Sequence, residues 1–196
     1  MFADFPLSAE QESALQAHLE MLLRWNRKLN LTSIRNREEA IQRHYYESLF
    51  LAMHLPPGAW KIADVGSGAG FPGFPVAVLR PDCQVTLIES HQRKAVFLRE
   101  SSRDQVNVRV LVKRAEEVTE RFDRVISRAV SYENLASFLQ NLAPAADLLT
   151  GGEEPPSGIG FVWEPAIPLP WGKQKFLRTG TAVSRETARM ESNSST

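Results

Sequence analysis

Glycines stand at positions 66, 68, 70 and 73, directly after the apolar run Ile62-Ala63-Asp64-Val65. That order describes a short buried strand, a tight turn and a helix start. Without Cβ atoms the backbone can turn sharply and come close to a ligand. Pro72 suits a first helical turn, where its missing N–H is not needed. Free N–H groups at that helix start are expected to face the ligand. Gly68-Ala69-Gly70-Phe71-Pro72-Gly73 satisfies the dinucleotide pattern G-x-G-x-x-G, so NAD(P) is one candidate. Asp64, two residues before the first glycine, argues otherwise. A carboxylate there repels a diphosphate and suits a cationic ligand with an amino group and a sulfonium, which is S-adenosylmethionine. Glu89 ends the run Val85-Thr86-Leu87-Ile88, where a ribose diol would lie in either reading. The bland alternative is a turn with no ligand, but so many glycines weaken local structure without some return.

In open α/β sheets ligands gather at the C-terminal ends of the strands. Beside Asp64 to Gly70 and Glu89, that rule brings in Ala115-Glu116 and Ser127-Arg128. Glu116 could contact an adenine amino group, or simply pair with Lys113 or Arg114 on the surface. Arg128 could clamp a carboxylate or phosphate at a strand mouth, or balance Asp123 or Glu133. The site reading of Arg128 is preferred, as a positioning group. No general acid or base is expected.

The elements that position these residues follow from periodicity. Ser8-Ala9-Glu10-Gln11 has the form of a capping box, and Leu15, His18, Leu19, Leu22, Trp25 and Leu29 recur at helical spacing. Asn30-Leu31-Thr32-Ser33 interrupts. A second helix is expected over Arg37 to His54, with Ala40, Ile41, His44, Tyr45, Leu49 and Met53 on its apolar side. The outer face of the whole helical stretch before residue 58 is basic, with Arg24, Arg27, Lys28, Arg35, Arg37 and Arg43 against Glu38, Glu39 and Glu47, so ion pairs and phosphate contacts are both open. His44 beside Tyr45 reads first as a core histidine. Pro56-Pro57-Gly58 marks a boundary.

From Trp60 strands and helices alternate. Strands are expected at Lys61–Val65, Gln84–Glu89, Asn107–Val112, Arg124–Ser127 and Asp147–Thr150, with a closing pair at Ile159–Trp163 and Gln174–Arg178. Helices are expected over about Phe74–Leu79, His91–Ser101 and Ser131–Leu142. This is a mostly parallel α/β sheet covered on both faces. The division is a helical extension over 1–57, the sheet domain over 58–182 and a polar, disordered tail over 183–196.

Composition narrows the classes. Hydrophobic residues make up 43% and charged residues 23% of 196, as in globular proteins. A formal charge of zero announces no bulk positive field for nucleic acid. The single Cys83 excludes an internal disulfide and fits a reducing cytoplasm. No membrane-length apolar run, signal-peptide pattern or metal-ligand spacing is visible.

Asp64-Val65-Gly66-Ser67-Gly68-Ala69-Gly70-Phe71-Pro72-Gly73, Glu89-Ser90-His91-Gln92-Arg93-Lys94 with Phe97-Leu98, and Ser127-Arg128-Ala129 closely resemble the RsmG/GidB family. Trp25-Asn26, Asn30-Leu31-Thr32-Ser33 and Arg43-His44 match its helical part. The resemblance spans roughly residues 8 to 180. It implies a class I S-adenosylmethionine-dependent methyltransferase fold, Rossmann-like, with a mostly parallel seven-stranded sheet. It also implies a bacterial enzyme that methylates N7 of a guanine in 16S ribosomal RNA, with the small ribosomal subunit as partner. Carried over, the family's cofactor contacts fall on Gly66, Phe71, Ala115, Glu116 and Arg128, with Glu89 on the ribose; the glycine-turn pattern itself adds Asp64, Gly68 and Gly70 as cofactor candidates. RNA contacts would fall on Asn30, Arg43, His44, Arg93, Lys94 and Arg114.

One departure stands out. Relatives carry Ala-Leu-Lys-Gly at the end of strand five, whereas this chain has Leu148-Leu149-Thr150-Gly151-Gly152. Arg93, Lys94 or Arg114 would have to supply the missing charge. Three other readings stay open: a methyltransferase acting on a small molecule or protein, an NAD(P)-dependent oxidoreductase, and a binding module without turnover. Asp64 and the lack of a Tyr-Lys or His-Asp pair count against hydride chemistry.

Overall fold

The structure, a computed structural model, describes residues 2–128, 131–136, 138–156 and 160–183. Five strands lie parallel in the order β3-β2-β1-β4-β5: β1 Lys61–Val65, β2 Gln84–Ile88, β3 Val108–Leu111, β4 Arg124–Arg128 and β5 Ala145–Thr150. β8 (Phe176–Ala182) then runs antiparallel to β5, with β6 (Phe161–Trp163) beyond it. The sheet holds eight strands rather than the seven expected. The extra one, β7 (Ile167–Pro168), comes from the proline-rich linker and pairs only with β8. Proline is tolerated there because an edge residue needs no ladder donor.

Side-chain alternation along the strands divides two cores between the two sheet faces. Ile62, Val85 and Leu87 point to one face and meet α1 (Ala9–Leu29), α3 (Glu47–His54), α4 (Gly73–Leu79) and α5 (Gln92–Ser101). Ala63, Val65 and Val125 point to the other and meet α6 (Tyr132–Ala136) and α7 (Leu139–Leu142). A single helix over Ser131–Leu142 is not what forms. Phe138 leaves helical geometry (φ −131°, ψ −14°) and inserts its ring into the second core. Across β4, β5 and β8, Arg124 donates twice to Asp147, at 2.7 and 2.9 Å, and Thr179 donates to the same carboxylate. That buried pairing fixes the antiparallel strand to the parallel half.

α1 starts on the Ser8 and Gln11 capping box and buries Leu15, His18, Leu19 and Leu22. His18 stacks on Phe74, and Trp25 meets Phe97 edge-on, so the helix packs directly onto α4 and α5. Asn30 closes it in the left-handed conformation (φ 48°). The second helical stretch is continuous, as expected, but not uniform. α2 (Arg37–Ala40) and α3 flank a π-helical segment, Ile41–Tyr46. Wider turns of this kind shift every later side chain around the axis. Met53, expected on the apolar side, is 52% exposed and Glu47, expected outside, is buried at 4%, whereas Leu49 is buried as expected. The polar tail from Ser184 and the expected strand start at Ile159 lie outside the described residues.

Candidate functional site

Two clefts open at the C-terminal ends of the strands. The smaller, about 270 Å³, is lined by Gly66, Glu89, Ser90, Arg114, Ala115, Glu116 and neighbours from α6 and Phe138. Gly66 brings the glycine turn to its wall. Gly66 sits at φ +72° and Gly68 at φ +58°, where side chains other than glycine are disfavoured. Glu89 bends back across the turn: its Oε2 accepts from Gly68 N at 3.0 Å and its Oε1 from His91 N at 2.7 Å. Each oxygen keeps a further lone pair, so the fixed carboxylate can accept from a vicinal diol. Ala115 and Glu116 begin the short 3-10 turn after β3 (Ala115–Glu117), and Glu116 forms no ion pair with Lys113 or Arg114.

The turn itself corrects one expectation. Its N–H groups do not wait for a ligand. Gly66 and Ser67 donate to Ile88 O, Gly70 and Phe71 to Ser67 O, and Gly68 to Glu89. At the helix start, Gly73 N donates to Asp64 Oδ2 at 3.0 Å. Asp64 therefore fills the anion position at the N-terminus of α4 from within the protein. It is wholly buried, and burial pushes its carboxyl up to about 7, opposed by the hydrogen bonds from Ser67 and Gly73. A Cβ at position 73 would lie 2.5 Å from Asp64 Oδ2 and 2.4 Å from Leu87, so only glycine fits. With the N–H groups of Gly66, Ser67, Gly68, Gly70, Phe71 and Gly73 engaged inside the protein, the turn has little left to offer a pyrophosphate, which weakens the physical support for NAD(P). The antiparallel β8 beside β5 also departs from the all-parallel order of dinucleotide folds.

The larger cleft, about 370 Å³, opens where β4 and β5 meet the N-terminal helices and the hairpin before β8. Arg128 is its centre. Its Nε donates to Glu47 Oε2 at 2.8 Å and its Nη1 donates to His44 Nδ1. Since Nδ1 accepts, the remaining ring proton is on Nε2 and is donated to Thr32 Oγ1 at 2.9 Å. His44 also stacks on Phe71, with centroids 4.6 Å apart. Burial, and then the charges of Arg128 and Arg43, hold His44 down to about 3, so the ring is neutral. With both nitrogens engaged it is a strut rather than a base. Asn26, buried in α1, accepts from Thr32 N and donates to Ile34 O, which sets the loop that carries Thr32.

The structure thus sorts the sequence candidates. Gly66, Glu89, Ala115, Glu116 and Arg114 line the smaller cleft. Arg128, expected among the cofactor contacts, lines the larger one with Arg43 and His44, and pairs with neither Asp123 nor Glu133. Asp64 and Gly70 are buried inside the turn, and Phe71 is buried between the turn and His44. Asn30 caps α1 and accepts from Arg35, while Arg93 is exposed and Lys94 half-buried on α5. None of these three lines either cleft. Glu47, Thr32, Glu153 and Lys175 were missed. His44 and Glu47 stand three apart, a spacing that places both on one helix face and could have flagged Glu47. Among the described residues no helix is long and apolar enough to cross a membrane, and no three His, Cys, Asp or Glu side chains gather as a metal site.

A parallel sheet reversed at one edge, with a glycine turn and an acid after β2, defines a Rossmann-like methyltransferase fold. The solved S-adenosylmethionine-dependent methyltransferase from Aquifex aeolicus shares it, with a TM-score of 0.55 over 74% of this chain and 93% of that one at 15% identity. The pattern of the GidB family, described as rRNA small subunit methyltransferase G, matches residues 11–149, and the chain belongs to that family. Ribosomal RNA small subunit methyltransferase G of Aquifex aeolicus is 42% identical over 71% of this chain and 74% of its own length. The same-named protein of Chromobacterium violaceum is 42% identical over 64% of this chain and 61% of its own length. The matched stretch therefore covers about three fifths to three quarters of these relatives.

Proposed function

We propose that this protein transfers the methyl group of S-adenosylmethionine to N7 of a guanine in 16S ribosomal RNA, with the small ribosomal subunit, in the cytoplasm, as its substrate. The observation that carries this reading, together with family membership, is the pair of clefts flanking one glycine turn. Gly66, Glu89, Ala115 and Glu116 would hold the cofactor, with Glu89 on the ribose diol and Glu116 or its backbone neighbour near the adenine. When bound, S-adenosylmethionine supplies an electrophilic methyl group on a sulfonium sulfur. The fit is physical: the smaller cleft offers a fixed carboxylate beside Gly66, and most N–H groups of its turn are engaged within the protein rather than free for a phosphate. Phe71 and the buried Asp64 act on the turn from inside.

The larger cleft would take the acceptor nucleotide. Guanine N7 carries a lone pair and no proton, so its attack needs no general base. The residues agree with that requirement, because the neutral His44 has both nitrogens engaged and no other histidine lines the cleft. What the chain contributes is alignment and exclusion of water. Methylation leaves the purine cationic, and the charge of Arg128 is balanced by Glu47, so the wall does not oppose the product.

Incubation of small ribosomal subunits with labelled S-adenosylmethionine, followed by mass-spectrometric mapping of the RNA, tests this. One methylated guanine in 16S RNA is expected. Transfer to protein or small molecules alone would replace the proposal with the other methyltransferase reading.

A further inference from the structure

The larger cleft draws its walls from two sources. Thr32, Arg43, His44, Glu47 and Arg128 lie inside the stretch matched by the family, whereas Thr150, Glu153 and Lys175 lie beyond it. Three cations line the cleft. Arg43 pairs with Glu39 at 2.8 Å and Arg128 with Glu47 at 2.8 Å. Lys175 forms no ion pair among the described residues. Glu153 is the one other charged side chain there without an ion pair; it is exposed and offers a phosphate nothing.

Lys175 is held in place. Leu169 N donates to Lys175 O at 2.9 Å, Gly172 N to Leu169 O at 3.2 Å, and Lys175 N to Gly172 O at 3.3 Å, closing a tight turn ahead of β8. Its stem lies across Gly172, where an added Cβ would sit 2.6 Å from Lys175 Cβ and 3.0 Å from Cγ. The next residue, Phe176, is the register partner of Thr150. A half-buried lysine with no ion pair among the described residues thus lines the cleft next to the register partner of the last residue of β5. Arg93, Lys94 and Arg114, the sequence candidates for a compensating charge, do not line this cleft.

Resting on the reading of the larger cleft as the acceptor site, we propose that Lys175 is the phosphate-positioning residue for the methylated nucleotide. An ammonium on a flexible stem suits a phosphodiester oxygen, whereas the rigid, carboxylate-bound guanidinium of Arg128 suits the base. Lys175 takes no part in the bond changes.

The test uses the full chain and small ribosomal subunits, with wild-type turnover established first. Lys175→Ala raises KM for subunits about tenfold, the scale of one hydrogen bond to a charged group, with kcat within about twofold. Its dependence of log KM on log salt becomes shallower by roughly 0.7, one single-strand phosphate. Lys175→Arg restores both, and calorimetry with S-adenosylhomocysteine gives wild-type affinity for each variant. An unchanged KM and salt slope overturns the assignment, as does an equal loss of cofactor affinity. Should wild-type protein methylate no subunit, the functional reading falls by itself. Lys175 is then decided by binding to a 16S RNA fragment, where the shallower slope supports it and identical slopes overturn it.

Discussion

The two clefts sit at the ends of neighbouring strands yet are built by opposite means. The smaller is set by the glycine turn at Gly66, with Glu89 following the next strand and the short turn after β3. The larger is side chains, brought from the loop after α1, the π-helical segment, β4 and the hairpin before β8. A local turn tolerates little change in sequence but needs few partners. An assembled wall can change one member, provided its charges still balance. The contrast explains how the strand-five position can hold Thr150 while the glycine turn keeps its full pattern.

The largest effect should come from the assembled wall. In Arg128→Ala, Glu47 loses its partner while its side chain is only 5% exposed, and His44 Nδ1 loses its donor. Removing one member of a buried ion pair costs about 3–5 kcal/mol. Urea denaturation should show that loss, and methyl transfer should disappear. Joint replacement, Arg128→Met with Glu47→Leu, recovers much of the stability and none of the transfer. Full activity in the single variant would return Arg128 to a structural role.

The second effect belongs to the glycine turn and depends on pH. Asp64 is raised to about 7 by burial, against 3.8 for an ordinary aspartate. Its protonated form is favoured by the fold, so this contribution is complete below the ordinary value and is lost as pH rises through about 7. Asp64→Asn keeps an acceptor for Gly73 N and removes the ionisation. Denaturation at pH 5 and pH 8 should show the variant gaining on the wild type by up to ~3 kcal/mol at the higher pH. Because Asp64 is enclosed, affinities for S-adenosylmethionine and S-adenosylhomocysteine should shift alike. A selective loss of the sulfonium ligand would place its charge in the cofactor site after all.

How far the sequence reveals the molecule follows the same division. Strands β1, β2 and β4, the glycine turn, Glu89 and the Ala115-Glu116 turn are legible because each depends on neighbours within a few residues. Glu47 was misplaced because its charge was read as the mark of an outer face, although its spacing of three from His44 puts it on the buried side. The use of Asp64 as an internal cap escapes a reading that assigns every charge at a strand end to a ligand. Lys175 escaped because its place depends on β8 folding back antiparallel across β5. Period and propensity carry no signal for such long-range pairing.

A smaller effect separates the shape of the turn from its stability. Gly66→Val forces a β-branched residue to φ +72° at the mouth of the smaller cleft, a strain of about 1–3 kcal/mol. Calorimetry with S-adenosylhomocysteine should record a loss of about tenfold, within the range that strain allows. Binding of 16S RNA fragments should be unaffected. Loss of RNA binding as well would mean that the two clefts are not independently built.

The smallest expected effect lies on the rim of the larger cleft. Arg43 pairs with Glu39 one helical turn away, with side chains 52% and 44% exposed. Exposed pairs of this kind contribute about 0.2–1 kcal/mol, so Arg43→Ala should leave the denaturation midpoint nearly unmoved. Its guanidinium reaches the acceptor side, and an RNA phosphate can compete with Glu39 for it. The salt dependence of RNA binding should therefore become shallower by roughly 0.7, while the change in stability stays below about 0.5 kcal/mol. Arg128→Ala and Arg43→Ala then mark the two ends of one wall. At the buried end stability and recognition fail together; at the rim recognition weakens alone, because water already screens the ion pair that is lost.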